Sequence, residues 1–183
     1  MSNQNDNPET VVWGKKVSPE FKKKVIEISK RLGTNPDYLM AIMAFETGRT
    51  FDPAQRNLAK PKNGPVGLLQ FTEVGAKSIG TTKDELANKT ALEQLDCVEK
   101  FLEQSKKLGL KKIEDLYAAV HWPAAVGKDV SHVLYSKHSP STKLKNYYEN
   151  NKGFDQNKDG NITLDEAAKK VKEVLAEGEL YRG

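Results

Sequence analysis

The segment from Asn35 to Phe51, "NPDYLMAIMAFETGRTF", constrains the fold more than any other part of the chain. Asn35 followed by Pro36 is a helix start, an N-cap and then a proline whose missing N–H costs nothing in the first turn. From Tyr38 to about Thr47 the helix is apolar on nearly every side, so it has no face suited to water and must lie at the centre of a helical domain. Gly48 is its C-terminal stop. A single ionisable group, Glu46, ends the apolar run. Beside Met43 and Phe45 a carboxyl group loses hydration in its charged form, which favours the protonated state that a general acid has to hold. The plainer alternative is a structural carboxylate that caps a loop or pairs with Arg49, three residues on.

The rest of the chain builds around that helix. Ser18-Pro19 opens a preceding helix in which Phe21, Val25, Ile28 and Leu32 recur at helical spacing before Gly33 ends it. Residues 1–16 read as a flexible tail. Between Arg49 and Phe71 the residues Pro53, Pro61, Asn63-Gly64, Pro65 and Gly67 predict a small irregular β-hairpin. Thr82 with Glu85, and Thr90 with Glu93, are capping boxes. The second opens a helix with Leu95, Val98, Phe101 and Leu102 facing inward, ending near Gly109, and another helix runs from Ile113 to about His121 before Pro123. The fold class is therefore mainly α (α+β), with one short β excursion directly after the buried helix.

Length and charge narrow the function classes. A chain of 183 residues holds one well-packed domain and an appendage. No apolar run approaches the roughly 18–20 residues of a membrane span, so none is expected. The net charge is +4, but the basic residues are scattered, as in "FKKKVIEISKR", without the interleaved aromatics of a single-strand nucleic-acid platform. Nucleic acid is thus not the expected partner, and a polyanionic wall or membrane surface suits the charge better. The start, "MSNQNDNPET", lacks the basic-then-apolar pattern of a signal peptide, so action outside the cytoplasm requires another route. The lone Cys97 falls on an apolar helix face and reads as a buried structural thiol. His132 and His138 are six apart, which is not a helical metal pair.

The segment "DQNKDGNITLDE", Asp155 to Glu166, has a twelve-residue ligand spacing. Asp155, Asn157 and Asp159 occupy positions 1, 3 and 5, Gly160 makes the turn at position 6, and Asn161 offers its main-chain carbonyl at 7. Ile162 is the apolar residue at 8, Thr163 serves position 9 directly or through water, and Glu166 can bind with both oxygens at 12. That is the pattern of an EF-hand calcium loop. Leu164, Ala167, Ala168, Val171, Val174 and Leu175 form an apolar stripe on the exit helix, and Leu144, Tyr147, Tyr148 and Phe154 can pack an entering helix. A single such loop points to one structural calcium ion that steadies a neighbouring domain.

Downstream of Glu46, "GPVGLLQFTEVGAKSIG" carries Gln70 and Glu73 on the return of the predicted hairpin, where both can face Glu46 across a groove. The order "FETGRTFDP", hairpin, "GPVGLLQFT", helices resembles the lysozyme-like fold of soluble lytic transglycosylases and goose-type lysozymes. "DLYAAVHWPAAVGK", Asp115 to Lys128, is similar to a segment of phage-encoded peptidoglycan-degrading enzymes of that group, and a single EF-hand also occurs in some lytic transglycosylases. The resemblance covers roughly residues 17 to 177. It implies that Glu46 protonates the β-1,4 glycosidic oxygen between N-acetylmuramic acid and N-acetylglucosamine, that Gln70 contacts the glycan, and that Tyr117, His121 and Trp122 line the opposite wall. Thr47 stands for the usual serine, Leu69 for methionine, and "AVHWP" at Ala119 to Pro123 for the usual "AYNAG", so the tyrosine of that segment has no counterpart.

A hydrolase needs a second carboxylate, for which Glu73 is the first candidate and Asp52 the next, whereas substrate assistance lets Glu46 work alone. Glu73 as a first-turn helix acid is the structural alternative. His121 and Trp122 are equally readable as core packing. The expected organisation is a tail over 1–16, a lysozyme-like catalytic domain over 17–142 and an EF-hand segment over 143–183 packed on it, as a monomer. The expected partner is the peptidoglycan glycan strand, reached after phage-mediated or contact-dependent delivery from the cytoplasm. The rival class is a non-catalytic, calcium-dependent wall-binding or scaffold module in which Glu46 is only structural.

Overall fold

The computed structural model describes residues 10–56 and 64–183. The described chain is mainly helical. Helix α1, Pro19–Leu32, begins where Ser18 Oγ accepts from the Phe21 N–H at 3.1 Å and stops at Gly33, whose φ of 71° only glycine adopts without strain. Its apolar stripe packs on α2, Pro36–Glu46, whose Leu39, Met40, Ala41, Ile42, Met43 and Ala44 are all buried. Helices α3, Glu73–Ser78, and α4, Lys83–Ala87, are short. Helix α5, Ala91–Glu103, returns along α1. Both predicted capping boxes form, at Thr82 with Glu85 and Thr90 with Glu93.

Helix α6, Ile113–His121, packs across α2 and ends at Trp122, ahead of Pro123. The remainder is strand β1, Val133–Ser136, helix α7, Thr142–Asn151, strand β2, Asn161–Thr163, and helix α8, Leu164–Glu177. Helix α8 is not peripheral: it makes the most extensive helix contact of α2, and Leu164, Ala168, Val171 and Val174 join the same core as Leu39 and Ile42. Lys172 fastens it to α6 by pairing with the nearly buried Glu114 at 2.6 Å.

Two expectations are corrected. The flexible tail over 1–16 does not extend to residues 10–16, its earlier part lying outside the described residues: Val11, Val12 and Trp13 are buried, and Gly14–Lys16 form a 3-10 turn. The Trp13 indole N–H donates to Val174 O at 3.1 Å, its ring stacks on Tyr181, and Val11 and Gly183 exchange two main-chain hydrogen bonds. Burial of about three large apolar side chains outweighs the polar composition around them.

The second correction concerns the β structure. No hairpin ladder forms over Arg49–Phe71 among the described residues, part of which, residues 57–63, lies outside them. Only isolated bridges occur there, Arg56 with Val66 and Val66 with Phe71. Pro53 and Pro65 cannot donate to a ladder, and Gly67 and Gln70 take positive φ values of 79° and 50°, which turn the chain back on itself. The one ladder among the described residues is antiparallel β1 with β2, pairing Tyr135 with Ile162 and Ser136 with Asn161. No described helix is long and apolar enough to cross a membrane.

Candidate functional site

Glu46 closes the last turn of α2. The chain leaves the helix through Thr47, whose hydroxyl donates to Met43 O at 2.7 Å and accepts from the Phe51 N–H at 3.0 Å. Gly48, Arg49 and Phe51 follow with φ values of 61°, 72° and 53°, so the backbone folds sharply away and leaves Glu46 at the edge of the core. Arg49, the structural partner that spacing alone would give Glu46, instead pairs with Glu177 of α8 at 2.7 Å. The Glu46 side chain is 8% exposed and meets a different partner: His121 Nε2 lies 2.6 Å from its Oε1. Burial of the carboxyl beneath apolar neighbours is thus relieved by an imidazole from the end of α6, 75 residues further on.

Glu46 and His121 face a cleft of about 400 Å³, lined also by Phe45, Gln55, Arg56, Pro65, Gln70 and Thr72. Gln70 lines the same cleft as Glu46. Its amide nitrogen donates to Gln55 O and Gly67 O, both at 3.0 Å, and its carbonyl oxygen has no hydrogen-bond partner among the described residues. The loop beneath is held by Gln94, which is fully buried, accepts from the Leu68 N–H at 2.7 Å and donates to Pro53 O and Leu86 O. A Cβ on Gly67 would come within 2.7 Å of Pro53 O, so only glycine closes this turn. Nothing in the local sequence marks Gln94, because its partners come from three separate segments.

Past Thr72 and His121 the cleft continues into a groove of about 540 Å³ lined by Phe101, Val120 and Pro123, with Val74 and Leu108 exposed on its rim. A groove with one carboxyl group in its described lining suits a chain ligand laid across it.

The other predicted residues fall differently. Tyr117 is buried, edge-on to Phe45 and 4.6 Å from the His121 ring, and burial first, then the Glu46 charge, pushes its phenol well above the ordinary tyrosine range. It is a neutral wall beneath the pair and not a proton carrier. Trp122 is half-buried, 5.4 Å from the His121 ring, and donates its indole N–H to the Tyr135 hydroxyl at 2.7 Å. Glu73 is the first residue of α3, half exposed, turned to Lys77 at 3.7 Å and absent from the cleft lining. Asp52 is exposed and accepts from the Ala54 N–H in a local turn. Glu46 is the one carboxylate lining the described cleft, and residues 57–63, "NLAKPKN", contain none.

No family model matches the chain, and no curated protein or solved structure matches it significantly.

The loop from Asp155 to Glu166 joins α7 to α8. Asp155 Oδ2 accepts from the Gly160 N–H at 2.9 Å and from the buried Tyr148 hydroxyl at 2.6 Å. The Tyr148 bond holds the Asp155 carboxyl below its ordinary range and pushes the phenol up to about 12. Asp155 Oδ1 is buried without a hydrogen-bond partner. Gly160 takes φ 88°, Asn157 Oδ1 accepts from the Asp159 N–H, and Asp159 Oδ1 from the Asn161 N–H. Glu166 accepts from the N–H groups of Gln156 and Thr163 and from the Thr163 hydroxyl. Among the described residues no three Asp, Glu, His or Cys side chains gather into a metal-holding group. The donor set read from sequence has only three carboxylates, Asp155, Asp159 and Glu166, the rest being amide, hydroxyl and main-chain oxygens. An orphaned carboxylate oxygen at position 1 and the glycine turn at position 6 fit a hard cation.

Cys97 is half-buried, and burial raises its thiol above the ordinary range, which keeps it unreactive.

Proposed function

We propose that this protein cleaves the β-1,4 glycosidic bond between N-acetylmuramic acid and N-acetylglucosamine in bacterial peptidoglycan, with Glu46 as general acid. The observation that carries the reading is the single 8%-exposed carboxyl group lining the described cleft, hydrogen-bonded to an imidazole. A carboxyl group facing such a cleft is placed to act as general acid toward a leaving oxygen.

The absence of a second carboxylate from the described cleft favours the lytic transglycosylase chemistry over muramidase hydrolysis. Glu46 gives its proton to the glycosidic oxygen as the C1–O bond breaks, and the leaving sugar departs as an alcohol. The muramic acid's own C6 hydroxyl then closes on C1, and its proton returns to Glu46, so the enzyme ends as it began. Gln70 offers its amide oxygen to a sugar hydroxyl or acetamido N–H, while the apolar groove beyond His121 receives the continuing strand.

The loop residues Asp155, Asn157, Asp159, Asn161, Thr163 and Glu166 are proposed to hold one calcium ion. Its charge would neutralise the loop carboxylates and so fix β2 and the start of α8, which packs on the helix carrying Glu46. An EF-hand of this kind is a clamp and not a switch. With the wall as substrate, delivery by a phage particle or by contact between cells explains how the enzyme reaches it.

Glu46→Gln is the test. The variant is expected to fold and to respond to calcium as the parent does while failing to clear purified peptidoglycan. Clearing at the parental rate would leave Glu46 structural and favour a non-catalytic wall-binding module.

A further inference from the structure

The Glu46–His121 contact defines a role for the histidine that a glycan contact does not. At 2.6 Å, Oε1 and Nε2 are closer than two lone pairs tolerate, so a proton lies between them. Neither the second carboxyl oxygen, Oε2, nor the second ring nitrogen, Nδ1, has a hydrogen-bond partner among the described residues. No acceptor among the described residues is therefore placed to orient a proton on Nδ1, and the geometry allows Nε2 to carry the proton that faces the carboxyl. The imidazole is fixed in that direction by its neighbours: the Tyr117 ring lies 4.6 Å away, the Trp122 ring 5.4 Å, and Trp122 is itself anchored by Tyr135.

We propose that His121 is a positioning residue for the acid: it donates Nε2–H to Glu46 Oε1 and thereby commits Oε2 to the glycosidic oxygen. This rests on the reading of the cleft as a glycan-cleaving site. Before cleavage the acid proton sits on Oε2. When it passes to the glycosidic oxygen, Glu46 becomes a carboxylate, and the bond from Nε2 strengthens because its acceptor is now charged. When the nucleophile's proton returns to Oε2, the bond relaxes. His121 neither gains nor loses a proton over the cycle. Without this donor, the negative charge would develop on a desolvated carboxylate that has no other hydrogen-bond donor among the described residues.

Two substitutions separate this role from packing. His121→Phe keeps a ring between Tyr117 and Trp122 but donates nothing, whereas His121→Gln loses the ring and keeps an N–H within reach of Oε1. With peptidoglycan fragments as substrate, His121→Phe is expected to lower kcat about 100-fold with KM little changed, the scale of losing one donor to a developing anion. His121→Gln is expected to recover most of that loss. A near-parental His121→Phe beside an inactive His121→Gln, or a change confined to KM, would overturn the proposal.

A second measurement does not depend on turnover. In protein carrying 15N-labelled histidine, a hydrogen-bonded Nε2–H resonance is expected for the parent and absent from Glu46→Ala. Its absence from the parent would overturn the pairing whether or not glycan is cleaved. A parent that shows the resonance and cleaves no glycan would leave the pair intact and refute the enzymatic reading instead.

Discussion

The Trp122 indole N–H donates to the Tyr135 hydroxyl at 2.7 Å, and this bond ties the end of α6 to β1. Trp122 lies next to His121 in sequence and against its ring, while Tyr135 lies on β1, opposite Ile162 in the middle of the proposed calcium loop. Strand β2 thus finds its partner in this chain's own residues 133–136. The ladder is extended at its ends by Lys137 N–H donating to Gly160 O and, beyond a bulge between Val133 and Tyr135, by Leu164 N–H donating to His132 O, both at 2.9 Å.

Tyr135→Phe is expected to leave the Trp122 N–H unpaired in a half-buried site, at a cost of about 1–2 kcal/mol. Denaturant unfolding measures that loss. Activity on peptidoglycan should fall with it, since the His121 ring loses the neighbour that holds it.

Calcium is expected to raise the melting temperature. An ion at 100 times its Kd adds about 2.7 kcal/mol, which in a chain of this length is roughly 5–10 °C. A chelator should reverse the shift, and Glu166→Gln should abolish it. Identical melts for the parent with calcium and with chelator would rule out the bound ion.

Trp13→Ala is expected to destabilise the fold by about 3–5 kcal/mol, as loss of a fully buried aromatic does. The change should be visible as a shift of the unfolding midpoint. Trp13 also closes the contact with Val174 and Tyr181, so α8 should lose amide protection at its C-terminal end first.

The Arg49–Glu177 pair sets a pH dependence. The hydrogen bond from Arg49 lowers the Glu177 carboxyl below its ordinary range. A folded value below the unfolded one contributes stability above about pH 4, the unfolded glutamate range, and that contribution is lost as pH falls through the folded value. The stability difference between the parent and Glu177→Gln should therefore be constant near neutrality and shrink on acidification. A difference that grows at low pH would contradict the pairing.

What could be read from the sequence was local. The proline and asparagine before α2, the two capping boxes and the apolar stripe of α8 each act within a few residues, and each forms as the spacing predicts. The buried helix ending in Glu46 was legible for the same reason. What was not legible depends on long-range contacts. Val11, Val12 and Trp13 are three apolar residues in polar surroundings until Val174, 161 positions away from Trp13, supplies an acceptor. His121 reads in the sequence as a residue of the glycan-facing wall, and its contact with Glu46 depends on α6 crossing α2. Glu73 misled in the opposite sense: Thr72, whose hydroxyl accepts from the Gly75 N–H, starts a helix there, and that start turns Glu73 toward Lys77 and away from the cleft.

The most direct measurement of the central claim is mass spectrometry of the soluble fragments released from purified peptidoglycan by the parent and by Glu46→Gln. The parent is expected to release muropeptides ending in 1,6-anhydro-N-acetylmuramic acid, and Glu46→Gln to release none. Reducing ends from the parent would contradict the single-carboxylate chemistry. No release by the parent, or equal release by Glu46→Gln, would contradict the assignment of Glu46 as the acid.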